Sequence, residues 1–96
     1  MLTSKQRANL KGQASKIDAI FQVGKGGVTQ SVINQTDEAL QARELIKLTV
    51  LETCEISPIE TANALAESTN SEVVQAIGRK IILYRENPKK KLIKID

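Results

Sequence analysis

The sequence predicts an α+β domain in the order α-β-α-β-α-β-β, a small four-stranded mixed sheet with helices packed on it. Three observations predict it. Helix-start signals at Thr3 or Ser4 and at Ser57-Pro58 precede apolar residues at helical spacing. Runs such as LIKLTVL at 45–51 alternate apolar and polar side chains, the period of a half-buried strand. The last two β-rich runs are separated only by Gly78-Arg79, the spacing of a tight hairpin. With 96 residues and no internal repeat, the chain reads as one domain over 1–96.

Each element follows from local chemistry. The first helix runs from Thr3-Ser4 to about Ser15, with Leu10 and Ala14 on one face and Lys5, Arg7 and Lys11 along it. Gly12 weakens its end. Ile17, Ala19, Phe21 and Val23 share one face at period two, so 17–23 is predicted as a strand. Gly24-Lys25-Gly26-Gly27 ends it. A second helix then extends to Arg43, with Val28, Val32, Thr36 and Leu40 inward and Asp37, Glu38 and Gln41 outward. In the next strand, Ile46, Leu48 and Val50 alternate with Lys47 and Thr49. After a loop at 52–56, Ser57 caps a third helix and Pro58 takes its first position. Ile59, Ala62, Leu65, Ala66 and Thr69 line that helix, which ends near Asn70. The hairpin strands are 73–77 and 80–84, and a basic tail covers about 87–96.

Composition excludes several functions. There is no His and one Cys, so neither a His-based nucleophile system nor a zinc finger can be assembled. No catalytic residue and no cofactor is expected, and the chain is not read as an enzyme. One Cys cannot form an intrachain disulfide, the first residues lack an apolar signal region, and no apolar run exceeds four residues. These point to the cytoplasm and to no membrane association; the chain is also read as a monomer with no small-molecule substrate. Cys54 reads as a small buried hydrophobe. The aromatics are Phe21 and Tyr84 alone, both read as core, which argues against base-by-base stacking on a nucleic acid.

The net charge of +3 conceals a segregation: residues 1–30 carry +4, residues 31–75 carry −6 and residues 76–96 carry +5. If the chain ends meet in space, one face is basic and the other acidic, and the basic face suits a polyanion.

Only one motif carries chemistry. Gly24-Lys25-Gly26-Gly27 lies between a strand and a helix start. Glycines permit positive φ and close approach, and successive N–H groups there form a nest for anions. The spacing fits neither a P-loop nor a dinucleotide fingerprint. It fits GxxG, by which KH-type domains grip a nucleic-acid backbone.

Four stretches now resemble a known family: LKGQA at 10–14, QVGKGGVT at 22–29, ELIKLTV at 44–50 and QAIGRKIILYR at 75–85. The sequence resembles the bacterial YhbY/YqeI family of stand-alone CRM (chloroplast RNA splicing and ribosome maturation) domains. The resemblance implies a fold similar to the C-terminal domain of translation initiation factor three. It also implies binding to ribosomal RNA in pre-large-subunit particles, and a part in ribosome assembly. The family's RNA-contacting loop falls on Gly24, Lys25, Gly26 and Gly27, and its basic residues match Lys11, Arg79 and Arg85. This chain has Ser15 and Ala19 where many members have His and Pro.

Lys5 and Arg7 join the RNA-contact candidates from their place on the first helix, where ordinary solvated charge is the other reading. Arg79 either touches RNA or satisfies the hairpin turn. Arg85 either touches RNA or pairs with a helix acid. The rival function is a protein-interaction adaptor of the translation machinery, docking through the acidic second helix. That helix shows no metal-ligand spacing.

Overall fold

The computed structural model describes residues 2–89. Its elements are α1 (Ser4–Ala14), β1 (Gln22–Val23), α2 (Gln30–Arg43), β2 (Leu45–Val50), α3 (Pro58–Thr69), β3 (Glu72–Ile77) and β4 (Lys80–Tyr84). The predicted α+β order is the observed one. The predicted tail beyond residue 89 lies outside the described residues.

The helices begin where side chains can satisfy their first N–H groups. Thr3 accepts from Gln6 N at 3.1 Å while Gln6 Oε1 accepts from Thr3 N at 3.1 Å, a reciprocal capping box. Thr29 caps α2, and Ser57 caps α3 with Pro58 following. Asn70 ends α3 in the left-handed region at φ 55°.

The four strands are ordered β1-β2-β4-β3. β1 pairs parallel with β2 across the α2 crossover, and β2 pairs antiparallel with β4. β4 in turn pairs antiparallel with β3, so the hairpin inserts its second strand into the centre of the sheet.

The sheet divides the protein into three layers. On one face, Ile46, Leu48, Val50, Ile81 and Leu83 pack with Leu40 of α2 and with Ala62, Leu65 and Ala66 of α3. On the other face, Leu10 and Ala14 of α1 pack on Leu45, Val74, Ile82 and Tyr84. Burying such side chains contributes about 1.5–3 kcal/mol each. Cys54 and Tyr84 are buried, and Phe21 packs half-buried against the larger cluster. The buried threonine hydroxyls of α2 and α3 bond within their helices: Thr36 donates to Val32 O at 2.7 Å, and Thr69 to Leu65 O at 2.7 Å.

The layering also separates charge. Exposed Asp37, Glu38, Glu60 and Glu67 lie on α2 and α3. Lys5, Arg7 and Lys11 lie on α1, while Lys47 and Lys80 belong to the sheet face that α1 shares.

The first strand is shorter than the sequence predicts. Ile17 donates its N–H back to Ala14 O and packs in the α1 cluster, whereas Ile20 and Phe21 pack against the opposite cluster. The chain rounds the sheet edge between them. The alternation at 17–23 therefore does not mark one face of a strand. Ile20 N to Lys47 O and Thr49 N to Phe21 O lead the chain into the two-residue strand.

Candidate nucleic-acid interface

The glycine segment closes a turn at the end of edge strand β1. Gly27 N donates to Gly24 O at 2.9 Å, and Thr29 N donates to Gly27 O at 3.1 Å before α2 begins. Gly27 sits at φ +66°, which L side chains rarely adopt, so the turn itself demands glycine there.

Gly24 and Gly26 are different. A Cβ on Gly24 would lie 3.6 Å from Leu51 Cδ1 and 3.9 Å from Thr53 Oγ1, both ordinary contacts. On Gly26 it would lie 3.4 Å from Thr29 Cγ2. Neither residue has the positive φ that would require glycine. Neither the contacts of a single added Cβ nor the backbone conformation therefore requires glycine at these two positions.

Lys25 stands exposed at the tip, and no described residue holds its ammonium. The backbone N–H groups of Lys25, Gly26, Gln30 and Ser31 have no acceptor among the described residues. The first turn of α2 carries no acid. N–H groups without acceptors, the positive end of a helix and an exposed ammonium thus lie together within the segment 25–31, a chemistry that favours phosphate oxygens.

Three other candidates have internal partners. Arg79 follows Gly78, whose φ of +58° sits at the first position of a two-residue hairpin loop. Its Nε donates to Val50 O at 2.6 Å and its Nη2 to Leu51 O at 2.8 Å, capping the carbonyls at the end of β2. Arg85 Nη1 donates to Asp37 Oδ1 at 2.6 Å and Thr69 O at 2.8 Å, and its Nη2 to Asp37 O at 3.0 Å, joining α2 to the end of α3. Arg7 donates to Val73 O and, at 3.4 Å, to Val74 O. These carbonyls flank a bulge between Val73 and Gln75, on a strand at the sheet edge. Sequence reasoning offers the turn and the helix acid as alternatives for Arg79 and Arg85, but gives no sign of the Arg7 clamp, because its partners lie far along the chain.

Lys5 and Lys11 are exposed on α1. The helix lies over the sheet end formed by Leu45 and Tyr84, while the glycine turn leaves the opposite end, a strand length of about 17 Å away. The first helix and the turn are therefore not adjacent. Between them lies sheet face that α1 does not cover, bearing Lys47 and Lys80, which sequence analysis leaves unassigned. Their signal is the alternation itself: Lys47 and Thr49 occupy the polar positions of β2, and the hairpin register sets Lys80 opposite Thr49.

No group of three or more His, Cys, Asp or Glu among the described residues is arranged to hold a metal ion, and no described helix is long and apolar enough to cross a membrane.

A family model for the CRS1 / YhbY (CRM) domain matches residues 2–85. The chain belongs to this family. The CRM match runs from before α1 to just beyond β4, so it contains the whole sheet and all three helices. Among similar proteins, the Bacillus subtilis protein named probable RNA-binding protein YqeI is 47% identical over 95 residues, which is 99% of each chain. A Haemophilus influenzae RNA-binding protein is 32% identical over 91 residues, 95% of this CRM domain and 92% of that chain. The solution structure of SAV1595 from Staphylococcus aureus, described as a hypothetical protein and candidate RNA binder, matches at a TM-score of 0.84 and 46% identity. Both chains are covered in full.

Proposed function

We propose that this CRM domain binds RNA through its glycine turn, and that the target is ribosomal RNA in precursors of the large subunit. It acts in the cytoplasm as an assembly factor and not as an enzyme. The observation that carries this reading is the turn: Gly24 and Gly26 answer no packing demand of the fold, and exposed Lys25 stands between them. The names of the similar proteins, RNA-binding in each case, support the ligand class. The turn admits the sugar-phosphate backbone closely, and Lys25 neutralises phosphate. Tyr84 is buried and Phe21 packs half-buried against the core, so no series of aromatics is offered for base stacking and recognition rests on backbone and shape.

The test is binding to large-subunit ribosomal RNA transcribed in vitro. Lys25→Ala removes one charge-assisted contact of about 1.5 kcal/mol, so affinity falls about tenfold, and Lys25→Glu falls further. Contact with about four to six phosphates gives a log–log salt slope of about −3 to −4. Affinity indifferent to salt, or unchanged by Lys25→Glu, defeats the reading. In cell extracts the protein sediments with pre-large-subunit particles; a protein found only at the top of the gradient speaks against the assembly role.

The adaptor reading predicts no effect of Lys25→Glu. It is also weakened by the structure of α2, where the Asp37 carboxylate is engaged by Arg85.

A further inference from the structure

The sheet face shared with α1 is only half covered. Register places Gln22, Thr49, Lys80 and Ile77 side by side in one row across β1, β2, β4 and β3. Strand alternation aims this row toward the α1 side, because Lys80 is in phase with Ile82 and Tyr84, which pack under the helix. The helix does not reach it: Gln22, Lys80 and Ile77 are exposed and Thr49 is half-buried. The row is three strand spacings long, about 14 Å, and begins two residues before Gly24.

Its chemistry is unusual for an ordinary solvated surface. Ile77 is 60% exposed, and the other large exposed hydrophobic among the described residues, Ile59, lies on α3 in the opposite layer. Lys80 Nζ donates to Thr49 Oγ1 at 2.7 Å, which holds its ammonium over the row. Lys47 is the diagonal neighbour of Lys80, about 7–8 Å away. The exposed carboxylates of α2 and α3 belong to the other side of the sheet. At the β1 end, Ala19, Ile20, Phe21, Gln22, Thr49 and Lys80 line an open cleft of about 570 Å³.

We propose that this row is a second RNA contact, over which a single strand leaving the glycine turn crosses the uncovered half of the sheet. The inference rests on the RNA-binding reading of the turn. Lys80, with Lys47 beside it, neutralises phosphate, Gln22 and Thr49 offer hydrogen bonds to sugar or base edges, and Ile77 covers the apolar face of a ribose or base. The span suits about four nucleotides at a stacked spacing of 3.4 Å. An RNA strand is the occupant because the face combines cations with an apolar side chain and lies next to a surface already fitted to phosphate.

The experiment measures affinity for the same transcribed large-subunit RNA across a salt series, using Lys80→Ala, Ile77→Ser, Lys25→Ala and, as control, Ile59→Ser. Circular dichroism and melting curves verify that each variant folds. Lys80→Ala is expected to weaken binding about fivefold and to flatten the log–log salt slope by about 0.7, the signature of one lost phosphate contact on a single strand. Ile77→Ser is expected to weaken binding about fivefold with the slope unchanged, because it carries no charge. Ile59→Ser leaves both unchanged. If Lys25→Ala weakens binding while Lys80→Ala and Ile77→Ser do not, the row is overturned and the turn stands. If none of the three has an effect, the RNA-binding reading falls and takes the row with it. If the row variants weaken binding and Lys25→Ala does not, the path from the turn is overturned.

Discussion

Replacing Arg79 separates its two readings. Its guanidinium fork holds Val50 O at 2.6 Å and Leu51 O at 2.8 Å, both in part-buried surroundings. Arg79→Ala leaves two carbonyls at the end of β2 without their charged donor. Hydrogen bonds to charged groups contribute about 1.5–3 kcal/mol each, and water re-entering a half-exposed site returns part of that, so the net cost is about 2–3 kcal/mol. For a domain of this size each kcal/mol moves the midpoint by about 4–8 °C, so Tm falls by about 10–20 °C. Arg79→Lys keeps the charge but cannot form the fork, and recovers little of the loss. Thermal and urea unfolding followed by circular dichroism measure both variants. An Arg79→Ala protein that melts within about 2 °C of the wild type yet binds RNA poorly would refute this reasoning and return Arg79 to the contact surface.

Other expectations follow from single sites. Gly24→Ala meets only ordinary contacts, so its unfolding midpoint stays close to the parent while affinity for ribosomal RNA drops severalfold; equal binding would remove the case for close backbone approach there. Gly27→Ala forces a side chain into positive φ and costs about 1 kcal/mol in urea unfolding. The Tyr84 hydroxyl is buried without a partner among the described residues, so Tyr84→Phe is expected to raise stability by up to about 1 kcal/mol. Burial, and then the charges of Glu44 and Glu86, raise the Tyr84 pKa above its ordinary value of 10.0. The unfolded chain therefore loses this proton first. The corresponding stability is complete below pH 10 and declines as pH rises toward the folded-state pKa, a decline that alkaline unfolding of Tyr84→Phe should lack. Arg85→Ala is expected to cost about 1.5–3 kcal/mol, mainly through Thr69 O and Asp37 O, and Asp37→Ala less than about 1 kcal/mol because its carboxylate is 52% exposed; a double-mutant cycle checks the ordering.

The sequence made legible what local chemistry decides. Thr3 or Ser4 as a cap, Ser57 with Pro58, and Gly78-Arg79 at the hairpin are signals contained within a few residues, and the structure follows them, with Thr3 as the cap. The glycine turn belongs to the same class, since its position depends on its own residues. The segment at 17–23 misleads because Ile17 and Phe21 are sorted onto opposite faces by tertiary packing, which alternation does not encode. The arginines are hard to place for a related reason: their acceptors are main-chain carbonyls on distant strands and helices, which no side-chain pattern reveals. Lys47 and Lys80 are visible as polar positions on strands. Their neighbourhood requires the order β1-β2-β4-β3.

The exposed carboxylates of α2 and α3 lie across the sheet from the lysines of α1 and of the face it shares, and this placement directs an electric moment through the layers. A long polyanion exerts a torque on such a body as well as a pull, and turns the lysine side toward itself during approach. At physiological ionic strength the screening length is about 8 Å. The principal extents are 36 × 26 × 22 Å, so this alignment acts only within about one screening length of contact, well under the width of the molecule. Lowering the salt should therefore quicken association by increasing the share of encounters that arrive facing the right way, even where the number of contacts finally made is unchanged.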